Sequence, residues 1–189
     1  MRCFAALETG PAARAALGEC IASLRPLGGR VSWVRPENLH LTLRFIGEVT
    51  PEQASAYADG LRPLVSALAP LELVAGGLGA FPSLRRPSVL WAGVRAVSGD
   101  LSAVQGAAEA CAVAIGLPPE AKLFHPHLTL GRVRDPHGLA PLLDAFAELA
   151  AAAPGFGGAF SAPAVALFQS ELNPGGAVYT RLEEMPLGG

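Results

Sequence analysis

Two of the chain's four histidines head the same tetrapeptide: His40-Leu41-Thr42-Leu43 recurs as His127-Leu128-Thr129-Leu130. Imidazole titrates near neutrality and serves there as either proton donor or proton acceptor. A reaction that needs both roles at once wants two of them. In an extended strand the side chains alternate, so His40 and Thr42 share one face while Leu39, Leu41 and Leu43 share the other, and His127 and Thr129 stand in the same way against Leu128 and Leu130. A solvated face carries charged or large polar groups and a buried face carries aliphatics; histidine followed two residues later by threonine fits neither habit. Two such strands packed about a pseudo-twofold axis would bring both imidazoles to one cleft, each beside a hydroxyl. That set suits the opening of a cyclic phosphodiester. Water or an alcohol loses a proton as it attacks phosphorus, the departing ribose oxygen gains one, and the threonine hydroxyls donate to the nonbridging oxygens where charge concentrates. Neither a metal nor a nucleotide cofactor is required.

Other residues offer themselves with a structural role beside the functional one. His125 lies on the His127 face by alternation, and an H-x-H pair ligates metals if a third ligand such as Glu48 or Asp135 joins it. Metal-dependent phosphodiester chemistry at His125 and His127 is therefore an alternative. Arg44, two residues beyond Thr42, is expected on the His40 face, where it reaches phosphate or shields the sheet; the second motif has Gly131 at that place. Trp33, Phe45, Phe81 and Trp91 include candidates for a base-stacking platform and are otherwise core. Arg85 and Arg86 either meet an RNA backbone or lie in a solvated loop, and His137, beside Asp135-Pro136, belongs to an exposed turn. A glycine-rich loop ending in Lys-Ser/Thr is missing from the sequence, as is an acidic cluster for two-metal hydrolysis, which argues against ATP-driven ligation and against that route to hydrolysis.

The elements that must position the two motifs follow from the punctuation of the chain. Residues 2 to 8 are read as a strand, and Thr9 to Pro11 as the start of a helix that Gly28-Gly29 stops. Strands at 30 to 35 and 39 to 46 precede a helix opened by Thr50-Pro51. Two strands near 71 to 79 and 88 to 95 lead to a helix capped by Ser98 and closed by Gly116. A strand from about 123 to 133, a helix from 139 to 151 and strands near 160 to 169 and 177 to 183 complete the chain. Each half runs through the same outline, with a proline-marked helix start after each histidine strand, so a single domain over 1 to 189 with an internal duplication is expected.

Composition sets the frame. The 189 residues are 51% hydrophobic and 16% charged with a formal net charge of -2, which gives a chain able to bury a core and excludes disorder. The near-neutral balance argues against a continuous basic face for long nucleic acids but leaves a short or terminal nucleic-acid substrate open. Cys3, Cys20 and Cys111 are too widely spaced for a zinc knuckle and odd in number, so reduced thiols are expected. Glu8 interrupts the first apolar run and later runs are broken as well, so neither a signal peptide nor a membrane span is read, and the expected compartment is the cytoplasm.

The two His-x-Thr-x motifs, continued as HLTLRFIGEV in the first half and framed as FHPHLTLGRV in the second, resemble the 2H phosphoesterase superfamily, and within it the bacterial RNA 2',3'-cyclic phosphodiesterases first described as 2'-5' RNA ligases. The opening MRCFAAL, the mid-chain RRPSVLWAGV and the segment from Leu167 to Tyr179 extend the likeness over nearly the whole chain. The resemblance implies an α+β fold of two pseudo-symmetric lobes of mainly antiparallel sheet, with helices outside and a central cleft. It implies hydrolysis of RNA 2',3'-cyclic phosphate ends to a 2'-phosphate without cofactor, and reversible ATP-independent 2'-5' ligation. By the same resemblance His40 gives the leaving 3' oxygen its proton, His127 takes one from water, Thr42 and Thr129 hold phosphate oxygens, and Arg132 neutralises phosphate charge, although simple alternation sets Arg132 off the histidine face, where a salt bridge is the competing role. RNA 3' ends, tRNA fragments among them, are the expected partners of a monomer that does not touch membranes. A non-catalytic RNA-end or nucleotide-binding module is the second class to be tested.

Overall fold

The structure is a computed structural model that describes residues 1–152, 156–174 and 176–188. Its strands are β1 (Arg2–Glu8), β2 (Arg30–Trp33), β3 (His40–Glu48), β4 (Leu71–Phe81), β5 (Val89–Ser98), β6 (His127–Asp135), β7 (Ala159–Ala162), β8 (Ala164–Asn173) and β9 (Gly176–Pro186), and its helices are α1 (Pro11–Leu24), α2 (Pro51–Ser66), α3 (Leu101–Ala114) and α4 (Ala140–Ala152). The strands form one antiparallel sheet in the order β7-β4-β5-β6-β3-β1-β8-β9, with β2 on the edge of β6 that β3 leaves free. The fold is thus α+β, as expected.

The leucine face of the motifs goes to the core. Leu41, Leu43, Leu128 and Leu130 are buried in one apolar cluster with Leu17 and Ile21 of α1, Tyr57 and Leu61 of α2, Val104 and Ala108 of α3, and Leu142 and Phe146 of α4. β1 is buried on both faces: Cys3, Ala5 and Leu7 join this cluster, whereas Phe4 and Ala6 join a smaller one with Ala166 and Phe168 on the opposite side of the sheet.

Several helix and strand starts differ from the sequence expectation for identifiable reasons. The Thr9 hydroxyl donates to the Leu39 carbonyl at 2.9 Å, so it is not available as a cap, and Gly10 opens α1 with Pro11 in its first turn. β5 runs through Ser98, and Asp100 caps α3 by accepting from the Ala103 amide at 2.9 Å. β6 begins at His127 rather than near 123, because Pro126 has no N–H to give to a ladder. Thr50 does open α2, in a capping box with Gln53.

A β-bulge follows each threonine at the same place. Against β1, Thr42 lies opposite Ala6 and Arg44 opposite Ala5, leaving Leu43 as the extra residue; against β5, Thr129 lies opposite Trp91 and Gly131 opposite Leu90, leaving Leu130. An extra residue reverses the alternation beyond it. Arg44 therefore turns to the helix side, 8% exposed, where it meets Glu109 of α3 at 2.7 Å and donates to the Pro118 carbonyl at 2.6 Å. The expectation that Arg44 shares the His40 face is corrected by this bulge, which puts Phe45 on that face instead. Gly131 turns inward too, where a Cβ would stand 2.7 Å from Val31 Cγ1 and 3.0 Å from the Trp33 ring, so β2 packs over it.

Arg44→Ala leaves Glu109 and the Pro118 carbonyl without their buried cation, and about 2 kcal/mol of stability is expected to be lost, below the cost of breaking a fully buried pair because Glu109 is water-accessible on one side. Urea unfolding checks this, with Arg44→Met/Glu109→Leu expected to regain most of the loss; a wild-type midpoint in Arg44→Ala would show the contact to be idle.

Candidate active site

β3 and β6 overlap only where each begins, at the antiparallel pair Leu41 and Leu128, which are equivalent residues of the two motifs. Both leucines are fully buried on the helix side, so the residues on either side of them emerge together on the other face. Continued one step each way, the register sets Thr129 across from His40 and Thr42 across from His127. Each imidazole thus has its own threonine two residues along its strand and the other motif's threonine across from it. Sequence alternation gives the first neighbour; only the pairing gives the second.

The two rings are held alike. His40 Nδ1 is 2.7 Å from the Asn38 carbonyl and His127 Nδ1 is 2.6 Å from the His125 carbonyl, two residues back in each case. A carbonyl only accepts, so both Nδ1 atoms carry hydrogen and donate, which leaves both Nε2 atoms to accept a proton in the neutral ring or to give one in the cation. Aromatic rings surround each. The Phe4 ring lies 4.7 Å from His40 and Tyr179 meets it edge-on at 5.2 Å, while Phe81 meets His127 edge-on at 5.0 Å. Burial among these rings pulls the His40 pKa down to about 4, with charge on His127 and Arg132 pulling the same way and the Asn38 carbonyl opposing. His127 is also lowered, chiefly by burial and then by His125 and Arg132, against the lift of the His125 carbonyl.

A cleft of about 720 Å³ opens beside this group, lined by His40, Thr42, Thr129 and Arg132 but not by His127, which stands beyond Thr42 against Phe81, with Tyr179 and other residues of the β8–β9 hairpin forming one wall. The bulge at Leu130 brings Arg132 to the cleft, correcting its placement off the histidine face, and among the described residues it has no carboxylate within ion-pair distance. Trp33 and Phe45 line the cleft, whereas Phe81 and Trp91 pack around His125 and His127. Arg85 and Arg86 lie in the loop between β4 and β5, outside the lining.

His125 stands in the segment before β6, not in a strand, with its ring 6.2 Å from that of His127 and 4.8 Å from Trp91. Its proposed co-ligands are engaged elsewhere: Glu48 lies 3.4 Å from the N-terminal amine, and Asp135 lies 2.6 Å from the ring of His137, a side chain 92% exposed. Among the described residues no three His, Cys, Asp or Glu side chains gather as a metal site. The three cysteines are free and buried, with burial pushing the Cys20 thiol up to about 11. Among the described residues no helix is long and apolar enough to cross a membrane.

Sequence reasoning did not single out Phe4, Asn38 or Tyr179. Phe4 and Tyr179 come to His40 from the two ends of the chain through β1 and the β8–β9 hairpin. Asn38 carries the carbonyl that orients His40, and its own side chain donates to the Ala177 carbonyl of β9 at 3.0 Å. The dipeptide Asn38-Leu39 before the motif has no counterpart in His125-Pro126, so repetition did not flag it.

A family model described as LigT like Phosphoesterase matches residues 9–91 and again 93–179. A protein of Thermus thermophilus named RNA 2',3'-cyclic phosphodiesterase is 34% identical over 196 aligned positions, covering 100% of this chain and 91% of its own. One of Methanothermobacter thermautotrophicus with the same name is 31% identical and covers 97% of each chain. Among solved structures, TT0787 of Thermus thermophilus superposes with a TM-score of 0.79 at 31% identity over 100% of this chain and 99% of that one, and Escherichia coli LigT complexed with 3'-AMP superposes with 0.74 at 25% identity over 98% and 97%.

The lowered His40 pKa ties stability to pH. The unfolded chain binds this proton near pH 6.5 and the folded chain only near 4, so between those values the unfolded state holds more protons and stability falls as pH falls, by about 3 kcal/mol in all. Urea unfolding at stepped pH is expected to show this loss, and a shallower one in His40→Gln; parallel curves for the two proteins would refute the burial of a neutral His40.

Proposed function

The chain belongs to the LigT-like phosphoesterase family, and on that premise we propose that it opens RNA 2',3'-cyclic phosphate ends to 2'-phosphates with His40 and His127 as the acid and base pair. The observation that carries this is the matched anchoring of the two rings, each Nδ1 fixed on the carbonyl two residues back and each Nε2 left for proton transfer. His127 takes a proton from water as the water oxygen attacks phosphorus. His40 gives one to the 3' oxygen as the bond from phosphorus to that oxygen breaks. Thr42 and Thr129 donate to the nonbridging oxygens, and Arg132 supplies the positive charge that accompanies the anion into the cleft. A 5'-hydroxyl in place of water forms a 2'-5' bond by the same route without ATP. The name shared by the relatives and the nucleotide in the E. coli LigT complex support this substrate class.

The two family matches, one in each half, together with the equivalent bulges and the pairing of Leu41 with Leu128, support a single domain built by internal duplication. We take the protein to work as a monomer in the cytoplasm, on tRNA-derived ends among other RNA termini.

The free protein disfavours imidazolium at His40, so a cyclic phosphate that brings its negative charge beside the ring favours the proton that the donor role needs. With both imidazoles lowered in the free protein, kcat/KM is expected to peak on the acid side of pH 6.5, and kcat, which reports the occupied cleft, to peak at higher pH. A kcat/KM profile that keeps rising above pH 7.5 would contradict the lowered histidines.

Incubation with an RNA bearing a 2',3'-cyclic phosphate, in chelator, followed by identification of the terminal phosphate, tests the reaction: a 2'-phosphate is expected, and a 3'-phosphate, metal-dependent turnover or none overturns it. His40→Ala and His127→Ala are each expected to cost at least ~100-fold in turnover with much smaller changes in binding. Thr42→Val and Thr129→Val should each lose roughly 2 to 4 kcal/mol of transition-state stabilisation in kcat/KM. Binding without turnover in the wild type would instead make the chain an RNA-end binding module.

A further inference from the structure

The cleft is lined by four arginines, Arg2, Arg35, Arg132 and Arg134, and by no aspartate or glutamate among the described residues, in a chain that has 16 acidic residues against 14 basic ones. A near-neutral protein has gathered one sign of charge at one place, which raises the local concentration of polyanions. One reacting phosphate asks for one cation, and Arg132, the first cleft-facing residue after Thr129, supplies it. Arg134 goes beyond that need. Its Nε donates to Ser32 Oγ of β2 at 2.9 Å, which aims the guanidinium, and among the described residues its two terminal nitrogens have no partner. Arg132 and Arg134 are both exposed on β6 with half-buried Val133 between them, so their side chains leave the strand roughly 7 Å apart. That separation is comparable to one nucleotide step along single-stranded RNA.

We infer that Arg134, held by Ser32, is a second phosphate site for the phosphodiester that joins the terminal nucleotide to its predecessor, so that the preferred substrate is an oligonucleotide of two or more nucleotides and not a mononucleoside cyclic phosphate. The inference rests on the reaction proposed above and adds a specificity determinant to it. Arg134 fixes the RNA backbone irrespective of base, as phosphate contacts do, and Arg2 extends the positive lining from β1.

The test compares a dinucleotide with a mononucleotide, both ending in 2',3'-cyclic phosphate. In the wild type the dinucleotide is expected to have about a tenfold or greater advantage in kcat/KM, the size of one charge-assisted contact. In Arg134→Ala that advantage shrinks to threefold or less, with the change in KM; Ser32→Ala falls between, and Arg134→Lys regains part. The salt dependence of kcat/KM for the dinucleotide should also flatten by about 0.7 in logarithmic slope when the contact is lost. The same advantage in wild type and Arg134→Ala, or no advantage in the wild type, overturns the second site. If the wild type opens neither compound, the reaction fails, and the site is judged by calorimetric binding of a 3'-phosphorylated dinucleotide against a nucleoside 3'-phosphate under the same criterion. Far-UV circular dichroism confirms that each variant is folded, and Ser32→Ala decides if Arg134→Ala is not.

Discussion

The site depends on how little β3 and β6 touch. They share one pair, Leu41 with Leu128, and then part: β3 continues along β1, and β2 takes the edge of β6. A longer ladder would close the sheet where the cleft lies, and no pairing would leave the two histidines on unrelated strands. The pair is secured from the helix side, since both leucines lie fully buried in the cluster to which α1, α2, α3 and α4 contribute. Hydrophobic burial on one face thereby fixes the register that organises four polar groups on the other, because a slip of one residue would exchange the two faces.

Within that frame the site holds two opposed electrostatic tendencies. Phe4 and Tyr179 around His40, and Phe81 with Trp91 near His127, withdraw water from both imidazoles and so disfavour their charged forms. Arg132 adds repulsion to the same effect. The cleft is poorly suited to an imidazolium at His40 and, with Arg132 in its lining, electrostatically suited to an anion. Anchoring of both Nδ1 atoms on carbonyls means that charging the rings requires no change of tautomer or orientation.

The matching bulges at Leu43 and Leu130 explain why the two halves differ despite their common tetrapeptide. After each bulge the next residue turns inward and the one after it reaches the cleft. In the first half these are Arg44, tied to Glu109 and the Pro118 carbonyl, and Phe45, 55% exposed. In the second they are Gly131, which admits Val31 and Trp33, and Arg132. One local distortion, used twice with different residues, gives an aromatic wall on one side and a cation on the other.

Repetition of His-Leu-Thr-Leu was enough, from sequence alone, to single out four polar residues as candidates, to set each histidine on one face with the threonine of its own strand and to align the halves, because strand alternation is a local rule that holds as long as the strand is regular. Capping at Thr50 and most element positions were legible for the same reason: their causes lie within a few residues. The side of the sheet taken by Arg44 and Arg132 was not, since a bulge is set by pairing with β1 and β5, partners distant in the chain. Nor could sequence reveal that Thr129 faces His40, that Phe4 and Tyr179 enclose it from opposite ends of the chain, or that Arg134 turns into the cleft under the hold of Ser32. Those are consequences of register, burial and long-range contact, and they exist only once the sheet has formed.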